Sequence, residues 1–206
     1  MNEIFSYFDD LFPNPKCELV YSNNFEFLIS VVLSAQTTDK KVNNVTSVLF
    51  DKYDINSLSN ADINDLEEIL KPLGMARKKS IYIKNISTQL LRQYNGVIPR
   101  DYKSLISLDG VGRKTANLIL STLYNEPYFA VDTHVERVTK RLGLVSKNSD
   151  VIKIEKEMYK LIPNNRINRS HHQFVLFGRY YCKSINPKCE TCKLKDICKY
   201  NKKRIS

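Results

Sequence analysis

Three groups of residues in this 206-residue chain could carry chemistry. The first is the run Leu108-Asp109-Gly110-Val111-Gly112-Arg113-Lys114-Thr115-Ala116. Its two glycines can take positive φ and let a backbone approach a ligand closely. A helix starting after them presents outward amides with partial positive charge, which suits a phosphate. Arg113 and Lys114 add two cations there. Taken alone, a Gly-x-Gly is most often a plain helix–helix turn, and Lys114 reads as a surface lysine or a phosphate clamp. The second group is Val131-Asp132-Thr133-His134-Val135. Asp132 can cap a helix, with Thr133 and Glu136 at capping-box spacing. A carboxylate held that way can also accept a proton or stabilise developing positive charge. The third is Cys182-x6-Cys189-x2-Cys192-x5-Cys198, whose short loops let four thiolates converge on zinc or on an iron–sulfur cluster. Cys17 lies outside that pattern and reads as a buried thiol.

Helices must position these groups. Phe25, Leu28, Ile29, Val32 and Leu33 recur at helical spacing after Asn24 as N-cap. Further stripes are Val42, Val45 and Leu49, then Ile63 to Leu73 after Asp62 and before Gly74, then Ile83, Ile86 and Leu90 before Asn95-Gly96. A short helix over Tyr102 to Leu108 and a longer one over Arg113 to Tyr124 flank the glycine turn. Beyond it, Val135 to Leu142 ends at Gly143, Val151 to Leu161 ends before Pro163, and a last long helix runs from Ser170 towards Cys182. Strand alternation is negligible, so the fold class is all-α.

The composition, 42% hydrophobic and 26% charged, suits a globular protein with a core. No apolar run approaches the roughly 20 residues that span a membrane, so no membrane partner is expected. The acidic, amphipathic start from Met1 to Asp10 lacks the form of a secretory signal. A cytoplasmic protein follows, nucleoid-associated in a bacterium, in which metal ligation is the better reading of the cysteines. The net charge of +10 favours a polyanionic partner.

The 108–116 run resembles the helix-hairpin-helix signature of the endonuclease III family of DNA glycosylases, Leu-Pro-Gly-Val-Gly-Arg-Lys-Thr-Ala, with Asp109 in place of Pro. Val131–Val135 is similar to the family's Val-Asp-Thr-His-Val motif, and the cysteine spacing to its 4Fe-4S loop. The resemblance implies a monomeric base-excision repair enzyme, both DNA glycosylase and AP lyase, in two α-helical domains. Residues 17–126 would form a six-helix domain carrying the hairpin. Residues 1–16 plus 127–206 would form a second, holding the 4Fe-4S cluster in loop 182–198 through Cys182, Cys189, Cys192 and Cys198.

By the same resemblance Lys114 is the nucleophile and Asp132 faces it across the cleft between domains. The lysine displaces the base at C1′, and the resulting iminium drives β-elimination 3′ to the abasic site. An ordinary lysine is protonated at neutral pH and must first lose its proton. The substrates implied are double-stranded DNA with oxidised or saturated pyrimidines, or abasic sites. Gly110, Val111, Gly112 and Arg113 would hold the DNA backbone, and Lys188, Lys193 and Lys195 would add a second contact. Asp109 would put an acid near the phosphate and weaken that hold. Because a stacked base must be flipped out, Gln36 in Leu33–Asp39 is implied as the plug and Met75 in Leu73–Lys79 as a wedge. Asp39 would lie near the pocket, and His134 would be a positioning residue.

Two rival functions make different demands on these residues. An adenine-mismatch glycosylase needs a catalytic acid on the helix before the plug, which here reads Ser30-Val31-Val32-Leu33. A non-enzymatic helix-hairpin-helix module needs neither Lys114 nor Asp132.

Overall fold

A computed structural model describes residues 1–205, with side chains through residue 202. The described residues are all-α, with no strand. In chain order the helices are α1 (Asn2–Leu11), α2 (Asn24–Leu33), α3 (Asp39–Lys52), α4 (Ile55–Asn60), α5 (Ile63–Leu70), α6 (Ala76–Tyr94), α7 (Tyr102–Ile106), α8 (Arg113–Tyr124), α9 (Thr133–Leu142), α10 (Val151–Leu161), α11 (Ile167–Tyr180) and α12 (Lys199–Ile205). Short 3-10 turns cover Lys71–Leu73 and Asn164–Arg166. None of these helices is long and apolar enough to cross a membrane.

The chain divides into two compact units, one of Glu18–Tyr124 and one of Met1–Cys17 with Asn125–Ser206. In the first, α2 is buried almost throughout, from Phe27 to Leu33. Around it α3, α5, α6 and α8 each turn one apolar face inward, through residues such as Leu49, Leu66, Ile83, Ile86 and Ile119. In the second, Phe8 of α1 meets Phe174 and Phe177 of α11 at ring centroid distances of 5.1 and 4.8 Å. Val135 and Val138 of α9 and Met158 of α10 complete that core.

Most helix ends follow the side chains that satisfy free backbone groups. Asp62, Asp101, Asp132 and Asp150 each accept a first-turn N–H at the start of a helix. Gly143 closes α9 at φ 81°. Three boundaries differ from the sequence-based expectation. Asn23, not Asn24, caps α2, because its side chain reaches Glu26 N while the Glu26 carboxylate accepts from the Ser22 N–H. Helix α4, held by an Asp54–Ser57 capping box, is a seventh helix in a unit expected to have six. Its six residues are too few to display a period. Helix α11 begins at Ile167, three residues early, because a 3-10 turn runs straight into it without a capping side chain.

Candidate functional site

The glycine turn lies between α7 and α8. Gly110 takes φ 75°, and a Cβ on it would sit 2.6 Å from Cδ2 of Tyr82 on α6. Glycine is therefore required there twice over, by backbone conformation and by contact. Gly112 is different. Its φ is not positive, and a Cβ on it would meet nothing within 4 Å. The protein does not need glycine at 112; the open space lies on the outside of the turn. Val111 is buried at 7% exposure, and its N–H already donates to the Leu108 carbonyl at 3.1 Å. It anchors the turn from below rather than presenting a side chain outward.

The α8 ladder starts with Ala116 N donating to Gly112 O at 2.9 Å. The amides ahead of it in that first turn have no helical carbonyl to reach. Arg113 and Lys114 are the first two residues of α8, and both are exposed. Asp109, half-buried at the same turn, is engaged by α6. Its carboxylate accepts from Asn85 Nδ2 at 2.7 Å and from Gln89 Nε2 at 3.5 Å, both on α6.

Gln36 and Met75 belong to the same unit. Both are exposed, Met75 at 46%, and both have left-handed backbone, at φ 57° and 51°. Such a conformation in a residue with a side chain costs energy and is held by its surroundings. For Met75 the holder is visible. Gly74 before it has φ 70°, and Lys79, only 2% exposed, donates from Nζ to the Leu73 carbonyl at 3.0 Å. Burial pushes the Lys79 ammonium below its ordinary pKa. Sequence reasoning passed over Lys79, although a signal existed: Lys79, Ile83, Ile86 and Leu90 share the apolar spacing of α6. Asp39 is half-buried at the start of α3, next to the Thr38 cap.

Asp132 lies in the other unit, half-buried, as the N-cap of α9. Its Oδ1 accepts from Val135 N at 2.8 Å, which fixes the side chain. No capping box forms, because Asp132 rather than Thr133 is the N-cap, which puts Val135 at the third helical position and leaves Glu136 to pair with Lys140 at 2.6 Å. His134 is half-buried, with burial pushing its imidazole below the usual range. Asp132 acts against that shift, and Arg137 and Arg179 act with it. Arg137 Nη2 lies 3.1 Å from His134 Nδ1. This contact and the close approach of Gly178 hold the ring against α11.

Two further residues of α9 went unread in the sequence. Arg137 donates to the carbonyls of Gly178 (2.8 Å) and Cys182 (3.0 Å), and Arg141 to those of Lys183 (2.6 Å) and Ser184 (3.0 Å). The C-terminal carbonyls of α11 and the first turn of the cysteine loop lack helical partners, and these cations supply them.

Cys182, Cys189, Cys192 and Cys198 line one cavity together with Leu142, Phe177 and Tyr181. None forms a disulfide, and burial raises the thiol pKa of Cys182 and Cys192. Among the described residues no three His, Cys, Asp or Glu side chains are grouped to hold a lone metal ion. The donor set of four thiols around one apolar cavity fits a cysteine-ligated cluster. Of the nearby lysines, Lys193 pairs with Asp10 at 3.1 Å and Lys188 lies 4.9 Å over the Tyr181 ring. Cys17 is half-buried rather than buried.

Residues 29–164 match the family model described as HhH-GPD superfamily base excision DNA repair protein, the class that this helical fold and glycine hairpin define. The chain is 42% identical over 196 residues to the endonuclease III of Bacillus subtilis (strain 168), covering 95% of this chain and 90% of that protein. It is 36% identical over 192 residues to the endonuclease III of Escherichia coli (strain K12), covering 93% and 90%. Among solved structures it is similar to an endonuclease III trapped as a covalent intermediate with DNA, at a TM-score of 0.96 and 42% identity over 100% of this chain and 97% of that one. A thermostable thymine-DNA glycosylase shares the fold at a TM-score of 0.86 and 19% identity, over 98% of each chain. The chain belongs to the endonuclease III family of base-excision repair glycosylase/lyases.

Proposed function

We propose that the chain acts as a monomer in the cytoplasm on double-stranded DNA, removing oxidised or saturated pyrimidines and cutting the strand at abasic sites, with Lys114 as the nucleophile. The neutral Lys114 amine attacks C1′. The glycosidic bond breaks, and the base leaves with its electron pair and takes up a proton. Opening of the sugar ring gives an iminium between Nζ and C1′. That iminium acidifies the C2′ proton, whose loss expels the 3′ phosphate by β-elimination. Hydrolysis of the iminium then returns the free amine. Water in place of the amine would stop after base loss, so the lyase step follows from the choice of nucleophile.

What carries this reading is an exposed lysine two residues past a glycine turn, at the open amide end of α8, in a chain of this family. Asp132 takes the complementary role, accepting the proton that Lys114 sheds and stabilising positive charge on the sugar. Its cap bond uses Oδ1. Gln36 and Met75 fill the space that the extruded nucleotide leaves; their exposure and left-handed backbones suit that role. Cys182, Cys189, Cys192 and Cys198 hold a 4Fe-4S cluster, which supplies a rigid centre for the loop rather than chemistry at the base.

Borohydride reduces an iminium to a stable amine and tests the assignment directly. Wild-type protein should be cross-linked to abasic-site duplex, and Lys114→Ala should give no adduct while still binding that duplex. An adduct that persists in Lys114→Ala would move the nucleophile to another residue.

A further inference from the structure

Asp109 occupies the position where the family's hairpin signature has proline, and the structure shows what it does there. Proline has no N–H and no polar side chain. Asp109 offers both, and both are used. Its N–H donates to Gln89 Oε1 at 3.0 Å. Its Oδ2 accepts from Asn85 Nδ2 at 2.7 Å, and its Oδ1 accepts from Gln89 Nε2 at 3.5 Å. That Gln89 amide also reaches the Ser107 carbonyl at 3.4 Å. Asn85 and Gln89 are one turn apart on α6, and Tyr82, one turn earlier on the same face, is the ring beneath Gly110. A single face of α6 therefore grips the turn from Ser107 to Gly110.

We propose that Asn85, Gln89 and Asp109 form a polar clamp that sets the hairpin for its contact with the DNA backbone. They are positioning residues and touch no reacting atom. Proline would stiffen the turn from within, by fixing φ. Here the turn is instead held from outside, by hydrogen bonds to a long, packed helix. The clamp also answers the electrostatic problem of the substitution. With both oxygens committed to α6, the carboxylate is engaged by amide donors there instead of lying bare on the surface that receives phosphate. At physiological ionic strength, screening over roughly 8 Å weakens what repulsion remains. Gln89 makes three of the contacts from a half-buried position at the helix surface, so its loss should loosen the turn without opening the core.

The proposal rests on the reading of the hairpin as a DNA-backbone contact, and one experiment separates the two. Affinity is measured by fluorescence anisotropy for a duplex carrying a tetrahydrofuran abasic-site analogue, which cannot form the lysine adduct, over a range of salt concentrations. Gln89→Met keeps the volume and the helix while removing the hydrogen bonds, and Asn85→Ala removes its own. Each should weaken binding by about fivefold, the effect of one lost hydrogen bond. The thermal midpoint should fall by about the few degrees that such bonds contribute to the fold, and KM should move more than kcat on abasic DNA. Asp109→Asn removes the charge and keeps an acceptor for Asn85. It should not bind more tightly than wild type, whereas a carboxylate facing the phosphates would make it do so. Wild-type affinity in Gln89→Met and Asn85→Ala, or tighter binding by Asp109→Asn, overturns the clamp. Arg113→Ala is the control for the underlying reading. If it too binds like wild type, the hairpin is not the DNA contact; if it alone weakens binding, only the clamp fails.

Discussion

Gly112 and Gly178 are both glycines beside functional residues, yet they answer opposite demands. A Cβ on Gly178 would lie 2.9 Å from His134 Cβ and 3.2 Å from the His134 carbonyl oxygen, where α11 crosses α9. Neither atom is the end of a flexible side chain, so the helices themselves must part. Gly178→Ala should lose roughly 1–3 kcal/mol, as overpacking does, seen as a lower denaturant midpoint. Gly112→Ala meets no atom and no left-handed strain, so its stability should change by at most about 1 kcal/mol. Its cost should appear in DNA affinity, because the new methyl occupies space through which a strand would approach. Undiminished DNA binding by Gly112→Ala, or full stability in Gly178→Ala, would contradict this division. The sequence marks Gly110 and Gly112 as a pair, but only Gly110 carries positive φ, and the ring that excludes a Cβ there belongs to Tyr82, 28 positions away. The left-handed backbones of Gln36 and Met75 had no sequence signal either, since neither residue type favours that region.

Helix α1 is tied to α11 by one carboxylate. Asp9 accepts from Arg166 Nη2 (2.9 Å), Arg169 Nε (2.9 Å) and Gln173 Nε2 (2.9 Å). The Arg166 bond is the chief cause that lowers its pKa to about 2. A second group, on α11, is shifted by burial: His172 falls to about 4. Both shifts are depressions, so in both cases the unfolded chain takes up protons before the folded one, and stability falls as pH falls. For His172 the loss runs from about 6.5, its unfolded value, down to about 4. For Asp9 it runs from about 4 down to about 2. Denaturant midpoints measured against pH should therefore fall less steeply for His172→Gln between pH 6.5 and 4. Asp9→Asn should flatten the curve only below pH 4. Curves parallel to wild type would show that neither group is linked to folding. The ends of α9, α10 and most of the apolar stripes were legible because caps and periods are local. The Asp9 network was not, because its partners lie 157 to 164 residues along the chain.

At the scale of the molecule, the two units differ in what holds them. The Glu18–Tyr124 unit has a continuous helical core from Phe27 to Ile119. The loop 182–198 has no helix, and Leu194 is its one fully buried large apolar side chain. Arg137 and Arg141 support its start through the carbonyls of Cys182, Lys183 and Ser184, and the Arg141 carbonyl accepts from Cys198 Sγ at 3.3 Å at its end. Between Ser184 and Cys198 the loop offers little apolar surface beyond Leu194, and a metal centre would supply what a core does elsewhere. The cysteine spacing was legible in the sequence, whereas the arginine braces depend on α9 packing against α11. Purified protein should accordingly be brown and contain iron and acid-labile sulfide in equal amounts. Cys192→Ser should lose the colour and the iron. Trypsin should then cut it early at Lys188, Lys193 or Lys195, while the Glu18–Tyr124 part of the same chain stays protected. A colourless protein carrying zinc would replace the cluster with a mononuclear site. If the iron-free variant resists trypsin as wild type does, the loop is held by its protein contacts alone.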